Sequence, residues 1–97
     1  MHARIITAQV QHNQLDEASR LYREMLVPAA QQQPGFKGGW LLLDRHTGKG
    51  QAILLWETEA DLKAAETNRL LQQRIAQVAQ TFVGTPGREI YEVSVLV

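Results

Sequence analysis

The stretch FKGGWLLLDRHTGKGQAILLWET, from Phe36 to Thr58, decides the fold. It holds two apolar runs, Trp40 to Leu43 and Ala52 to Trp56, on either side of the polar segment Arg45-His46-Thr47-Gly48-Lys49-Gly50. A short polar linker with two glycines between β-forming runs predicts a hairpin, slightly longer than the tightest kind. The strands are expected over Phe36–Asp44 and Gln51–Glu57. Within the first, Gly38-Gly39 predicts a bulge or a close backbone approach. Both strands are apolar at successive positions, so both faces of their sheet need a cover.

Upstream, Pro34-Gly35 punctuates the chain as a turn. Before it, Asn13 offers an N-cap, and Leu15, Ala18, Leu21, Tyr22, Met25, Leu26 and Ala29 fall on one helical stripe opposite Asp16, Arg20, Arg23 and Glu24. Pro28 lacks the amide that would bond the carbonyl of Glu24, which predicts a kink or break in this helix. The segment Ala3–Val10 reads as a first strand, rich in Ile and Val and apolar on both faces.

Downstream, Thr58-Glu59-Ala60-Asp61 has the capping-box pattern. The second helix is expected to run from there to about Phe82, with Ala64, Asn68, Leu71, Ile75, Val78 and Phe82 on its apolar face. Leu62 and Leu70 lie off that stripe. The helix is therefore irregular near Thr67-Asn68, or those leucines meet a partner. Gly84-Thr85-Pro86-Gly87 reads as a turn and Glu89–Val97 as the last strand, with Tyr91, Val93 and Val95 on one face.

The order is β-α-β-β-α-β, an α+β ferredoxin-like arrangement. Right-handed crossovers give a four-stranded antiparallel sheet of order 4-1-3-2 with both helices on one face. The other face is apolar, and a second copy of the same sheet is its simplest cover. The expectation is a homodimer, higher assemblies included, in which two sheets enclose one barrel.

The chain has 97 residues, which fits a single domain over 1–97. Ten basic residues balance ten acidic ones, so no clustered charge recommends a nucleic acid or a membrane surface as partner. Cysteine is absent, which removes disulfides and thiolate chemistry and suits a cytoplasmic location. No apolar run approaches the ~20 residues of a membrane span.

Three short motifs carry a family resemblance. Pro34-Gly35-Phe36 leads into the second strand, Trp56-Glu57-Thr58 closes the third, and Asp44 to Gly48 forms the hairpin between them. In motif, element order and length the chain resembles the antibiotic biosynthesis monooxygenase family of dimeric α+β barrels. The resemblance implies a small pocket between the helices and the sheet of each subunit. It also implies a family whose members include cofactor-free quinol oxygenases and haem-degrading enzymes. The latter carry an axial histidine on the second helix, where this chain has none.

Asn68 and Trp56 are the candidate catalytic residues. Asn68 is polar on an apolar stripe: its amide either binds a substrate oxygen or developing oxyanion, or satisfies a backbone group at a helix irregularity. Trp56 matches the family tryptophan and either stacks on a flat substrate or packs in the core. Trp40, Leu71, Phe82 and Tyr91 are the candidate substrate-binding residues, with core or interface packing as the alternative. His2, His12 and His46 lie at the terminus or in loops without metal-ligand spacing, and Ser19 and Ser94 lack triad partners. The expectation is a monooxygenase that needs no metal or cofactor and oxidises a quinol or other electron-rich aromatic. The alternative is a non-catalytic dimeric protein of the same fold that binds a small ligand or serves in stress.

Overall fold

Hydrogen bonding places the first strand in the middle of the sheet. In the computed structural model, which describes residues Met1–Val97, β1 (His2–Val10) pairs antiparallel with both β3 (Lys49–Trp56) and β4 (Phe82–Glu92). β2 (Phe36–Leu43) pairs with the outer side of β3, so the sheet order is β2-β3-β1-β4. This is the expected order read from the opposite edge.

Side chains alternate across a strand, so the registers sort them. Arg4, Ile6 and Val10 of β1 share a face with Ala52, Leu54 and Trp56 of β3, and that face is buried under the helices. Ile5 stands opposite Ile53, which stands opposite Trp40; Ala3 stands between Leu55 and Tyr91. These residues form the other face, where Trp40, Leu42 and Tyr91 are each half exposed. The apolar second face read from the sequence is therefore present, and it is open in the single chain.

The first helical region starts later than expected. His12–Gln14 forms a 3-10 turn, α1 (Leu15–Leu21) follows, and no side chain caps either start. Asn13 lies inside the 3-10 turn rather than at a cap. Tyr22–Leu26 is a π-helical turn, and α2 (Val27–Gln31) continues with Pro28 in its first turn. The Val27 amide reaches five residues back to the Tyr22 carbonyl, so the wide turn runs up to Pro28, which has no amide to place in it. The expected disturbance thus takes the form of a wider turn, which also buries Tyr22 and Leu26 against the sheet.

The two consecutive glycines of β2 are explained here. The register shifts between Phe36 and Gly38, whose φ is 142°, forming the expected bulge. A Cβ on Gly39 would lie 2.4 Å from the Ile53 carbonyl oxygen and 2.7 Å from the Tyr22 hydroxyl. Its absence lets Tyr22 donate to the Ile53 carbonyl at 3.0 Å, tying the first helical region to the sheet.

Of the two alternatives the sequence left open for the second helix, the structure takes the irregular one: α3 covers Glu59–Thr67 and α4 covers Arg69–Ala79, with Asn68 extended between them at φ −72° and ψ 117°. One extended residue resets the helical phase, so Leu62 and Ala65 are buried while Ala64 is exposed. The last strand begins at Phe82 rather than Glu89 and ends at Glu92. Gly84, at φ 73°, allows a bulge between the pairs Gln9–Val83 and Thr7–Gly87, so the expected turn lies inside the strand. The Thr58 cap stands as read, its hydroxyl accepting from the Asp61 amide at 3.0 Å.

Candidate functional site

The interruption at Asn68 shapes the site. Thr67 turns its hydroxyl back to the Ala64 carbonyl at 2.9 Å, and the Asn68 side-chain oxygen accepts from the Leu71 amide at 2.9 Å. The second bond is the N-cap of α4, a position for which asparagine is among the best residues. The Gln72 side chain then donates to the Ala65 carbonyl at 3.1 Å, closing the exposed end of α3. With α4 restarted in this phase, Leu71, Gln72 and Ile75 face the sheet where β1 presents Arg4 and Ile6.

Between these elements lie two adjoining spaces. The inner one is a recess of about 10 Å³ lined by Arg4, Leu54, Trp56, Leu62, Glu66 and Leu71, among others. That is roughly the room one water needs. The outer one is a cleft of about 240 Å³ between α4 and the β1–β4 edge, with Ile6, Ile75, Ala79, Phe82, Pro86 and Arg88 among its walls. Gln72 and Ile75 line both. The outer volume is below the ~300–1,000 Å³ of sites for drug-sized ligands, so it suits a small, mostly apolar molecule.

Two arginines and a glutamate make the site charged. Arg4 pairs with Glu66, whose side chain is 35% exposed at the end of α3. The Arg4 side chain is only 10% exposed, and its Nε has no hydrogen-bond partner. Leaving such a donor buried and unpaired costs roughly 1–3 kcal/mol. Burial first, and the positive charge of Arg88 second, push the Arg4 guanidinium below its usual pKa, although arginine keeps its charge throughout. Neither arginine was singled out from the sequence. The one available signal was a lone cationic residue, Arg4, at a position whose strand neighbours Ile6 and Val10 point into the core.

The sequence-predicted residues divide between the two sheet faces. Trp56 is 1% exposed, packs edge-on against Phe36 at 5.3 Å between ring centres, and lines the recess. Leu71 lines the recess and Phe82 the outer cleft. Asn68 sits at the cap of α4, half-buried, with its side-chain oxygen engaged by Leu71. Asn68 lines neither space, and neither do Trp40 and Tyr91. Their strand parity puts them on the open face, where the Tyr91 hydroxyl donates to Glu89. Of the histidines, His2 lies 3.4 Å from Glu59, while His12 and His46 are exposed.

Comparison with known proteins agrees with this geometry at the level of the fold. No family model matches the chain. Uncharacterized proteins from two strains of Mycobacterium tuberculosis are 32% identical over 97 residues. The match covers 99% of this chain but 42% of theirs, so the chain spans less than half the length of these relatives. Among solved structures, SnoaB of Streptomyces nogalater, described as a cofactor-independent oxygenase, superposes with a TM-score of 0.79 at 14% identity, over 99% of this chain and 95% of its own. A protein of Bordetella bronchiseptica described as a candidate antibiotic biosynthesis monooxygenase reaches 0.81 at 14% identity, with 97% of each chain covered. A further antibiotic biosynthesis monooxygenase reaches 0.74 at 17% identity, over 96% of this chain and 98% of that one. The chain therefore has the α+β fold of the antibiotic biosynthesis monooxygenases, as its sequence motifs implied.

Proposed function

From the fold it shares with antibiotic biosynthesis monooxygenases, we propose that this chain is a monooxygenase that oxidises a small electron-rich aromatic in the cleft between α4 and the β1–β4 edge. The observation that carries the reading is the pair of adjoining spaces at α4: an outer cleft of about 240 Å³ beside a small, chiefly apolar recess lined by Trp56 together with Arg4 and Glu66. SnoaB, of the same fold, is described as a cofactor-independent oxygenase.

A quinol substrate supplies its own electrons, so the oxidation balances without an added reductant. A quinol and O2 give a hydroxyquinone and H2O: one oxygen atom enters a ring C–H bond, the other takes the two quinol O–H hydrogens as water, the O–O bond breaks, and four electrons pass from the ring to oxygen. The protein's part is to exclude water and to hold the substrate's ionised form. Trp56 supplies an aromatic wall. Asn68 acts through Leu71: by capping α4 it positions that wall of the recess. The open sheet face is proposed to meet its equivalent in a second copy, closing a barrel.

Oxygen uptake by the purified protein, measured with a panel of quinols, tests the reading. Saturable uptake with equimolar carbonyl product is expected. Saturable binding of the same compounds without oxygen uptake would point instead to the non-catalytic ligand binder, which the engagement of the Asn68 side chain as a helix cap favours.

A further inference from the structure

We infer that the recess beside the cleft is the docking place of dioxygen, the second reactant. The inference rests on the oxygenase reading above and gives each reactant its own space.

The recess measures about 10 Å³, room for one small atom and for no ring. Leu54, Trp56, Leu62, Ala65, Leu71 and Ile75 form almost all of its accessible wall. The three polar residues at its border have their polar ends engaged elsewhere. Arg4 and Glu66 pair with each other, and Gln72 donates to the Ala65 carbonyl at 3.1 Å. Arg4 Nε and Glu66 Oε1 lack hydrogen bonds, but both atoms are closed to a water-sized molecule. Neither can therefore fix a water in the recess, and a buried water needs several such partners. An apolar void of this kind stays dry and takes apolar guests such as xenon. Dioxygen is such a guest, uncharged, without a dipole and of about the girth of a water molecule. On entering it displaces no bound water, and it gains the dispersion contacts that an empty void forgoes.

Position gives the recess its use. It adjoins the cleft of about 240 Å³, and Gln72 and Ile75 line both spaces. Dioxygen is slightly longer than it is wide. With its inner atom against Trp56 and Leu62, its outer atom lies at the boundary between the spaces, toward a ring held in the cleft. Holding the two reactants in this way replaces a chance encounter by a contact within one site. The protein's part in the step is placement, and the electrons come from the quinol.

The test is methyl NMR of the full chain under dioxygen pressure, because paramagnetic dioxygen speeds the relaxation of the methyls it visits. The Leu54, Leu62 and Leu71 methyls should be accelerated several-fold more than those of Val10 and Leu15, which are comparably buried in a separate cluster. Ala65→Val places two further carbons at the recess. It should remove this excess and raise the KM for dioxygen several-fold, with the KM for the quinol unchanged. Equal acceleration of the recess and reference methyls in wild type would overturn the inference, and that comparison needs no variant to fold. A dioxygen KM unmoved in Ala65→Val, once the excess is gone, would overturn it too. Both results leave the oxygenase reading standing. Excess relaxation in a protein that consumes no oxygen with any quinol would sink the oxygenase reading and dioxygen's role as a reactant with it, leaving only its binding.

Discussion

At the scale of single residues, Asn68 has two polar atoms whose roles can be told apart. Its side-chain oxygen caps α4, and its amide nitrogen is the donor that the sequence reading offered to substrate. Serine keeps a capping oxygen but lacks the amide, whereas alanine lacks both. Asn68→Ala is expected to lose about 1 kcal/mol of stability, a fall in Tm of roughly 4–8 °C for a domain this small. Asn68→Ser should melt close to wild type yet turn over roughly 100- to 1000-fold more slowly if the amide stabilises developing charge. Equal turnover of Asn68→Ser and wild type would reduce Asn68 to a cap.

Tyr22 gives a pH prediction. Burial raises its phenol from an ordinary 10.0 to about 12, so the folded state favours the neutral form. That stabilisation is complete below the unfolded pKa and is lost as pH rises through the folded one. Thermal melts should therefore show stability declining between pH 10.0 and about 12, with the decline reduced in Tyr22→Phe.

At the scale of elements, the contact between the first helical region and the hairpin depends on a missing methyl. Gly39→Ala would press a carbon against the Ile53 carbonyl and the Tyr22 hydroxyl. Because one of those neighbours is backbone, relief requires the strand itself to move. Denaturant unfolding should report a loss of about 1–3 kcal/mol, partly non-additive with Tyr22→Phe because the two residues meet. The same element scale explains the second helix. An uninterrupted helix from Thr58 to Phe82 would keep Asn68 on the buried stripe and Leu62 off it. The break at Asn68 exchanges them, burying Leu62 at 1% exposure.

At the scale of the whole molecule, the open sheet face is the surface of the proposed dimer. Trp40 and Leu42 on β2 and Tyr91 on β4 are half exposed around Ile5, Ile53 and Leu55. Burying such a face stabilises by roughly 25 cal/mol per Å² of apolar area, and a lasting dimer buries about 800 Å² on each partner. Light scattering on the eluting protein should give twice the chain mass of 10.9 kDa. A charge placed in the face, as in Leu42→Glu, should yield monomers that remain folded by circular dichroism. A wild-type monomer would remove the barrel. Dimer formation should vary little with salt, since the face is chiefly apolar.

The sequence by itself determined the element order, the hairpin, the β2 bulge, the Thr58 cap and the two-sided apolarity of the sheet. Each follows from local chemistry: period-two alternation, glycine where the backbone needs it, a hydroxyl three residues before an amide. Trp56 and Leu71 were legible as lining residues because strand and helix phase point them inward, whereas Phe82 lines the cleft from β4 and not from the helix on which the sequence placed it. Only the tertiary structure decided the rest. For Asn68 the sequence left donor and backbone cap both open, and the structure decided for the cap by extending that residue between two helices. Trp40 and Tyr91 moved to the open face because register and bulges, not composition, assign sides. The Arg4–Glu66 pair was invisible in the sequence because its members stand 62 positions apart. Their charge looks ordinary in the chain and acquires its significance only from the apolar walls that close around it.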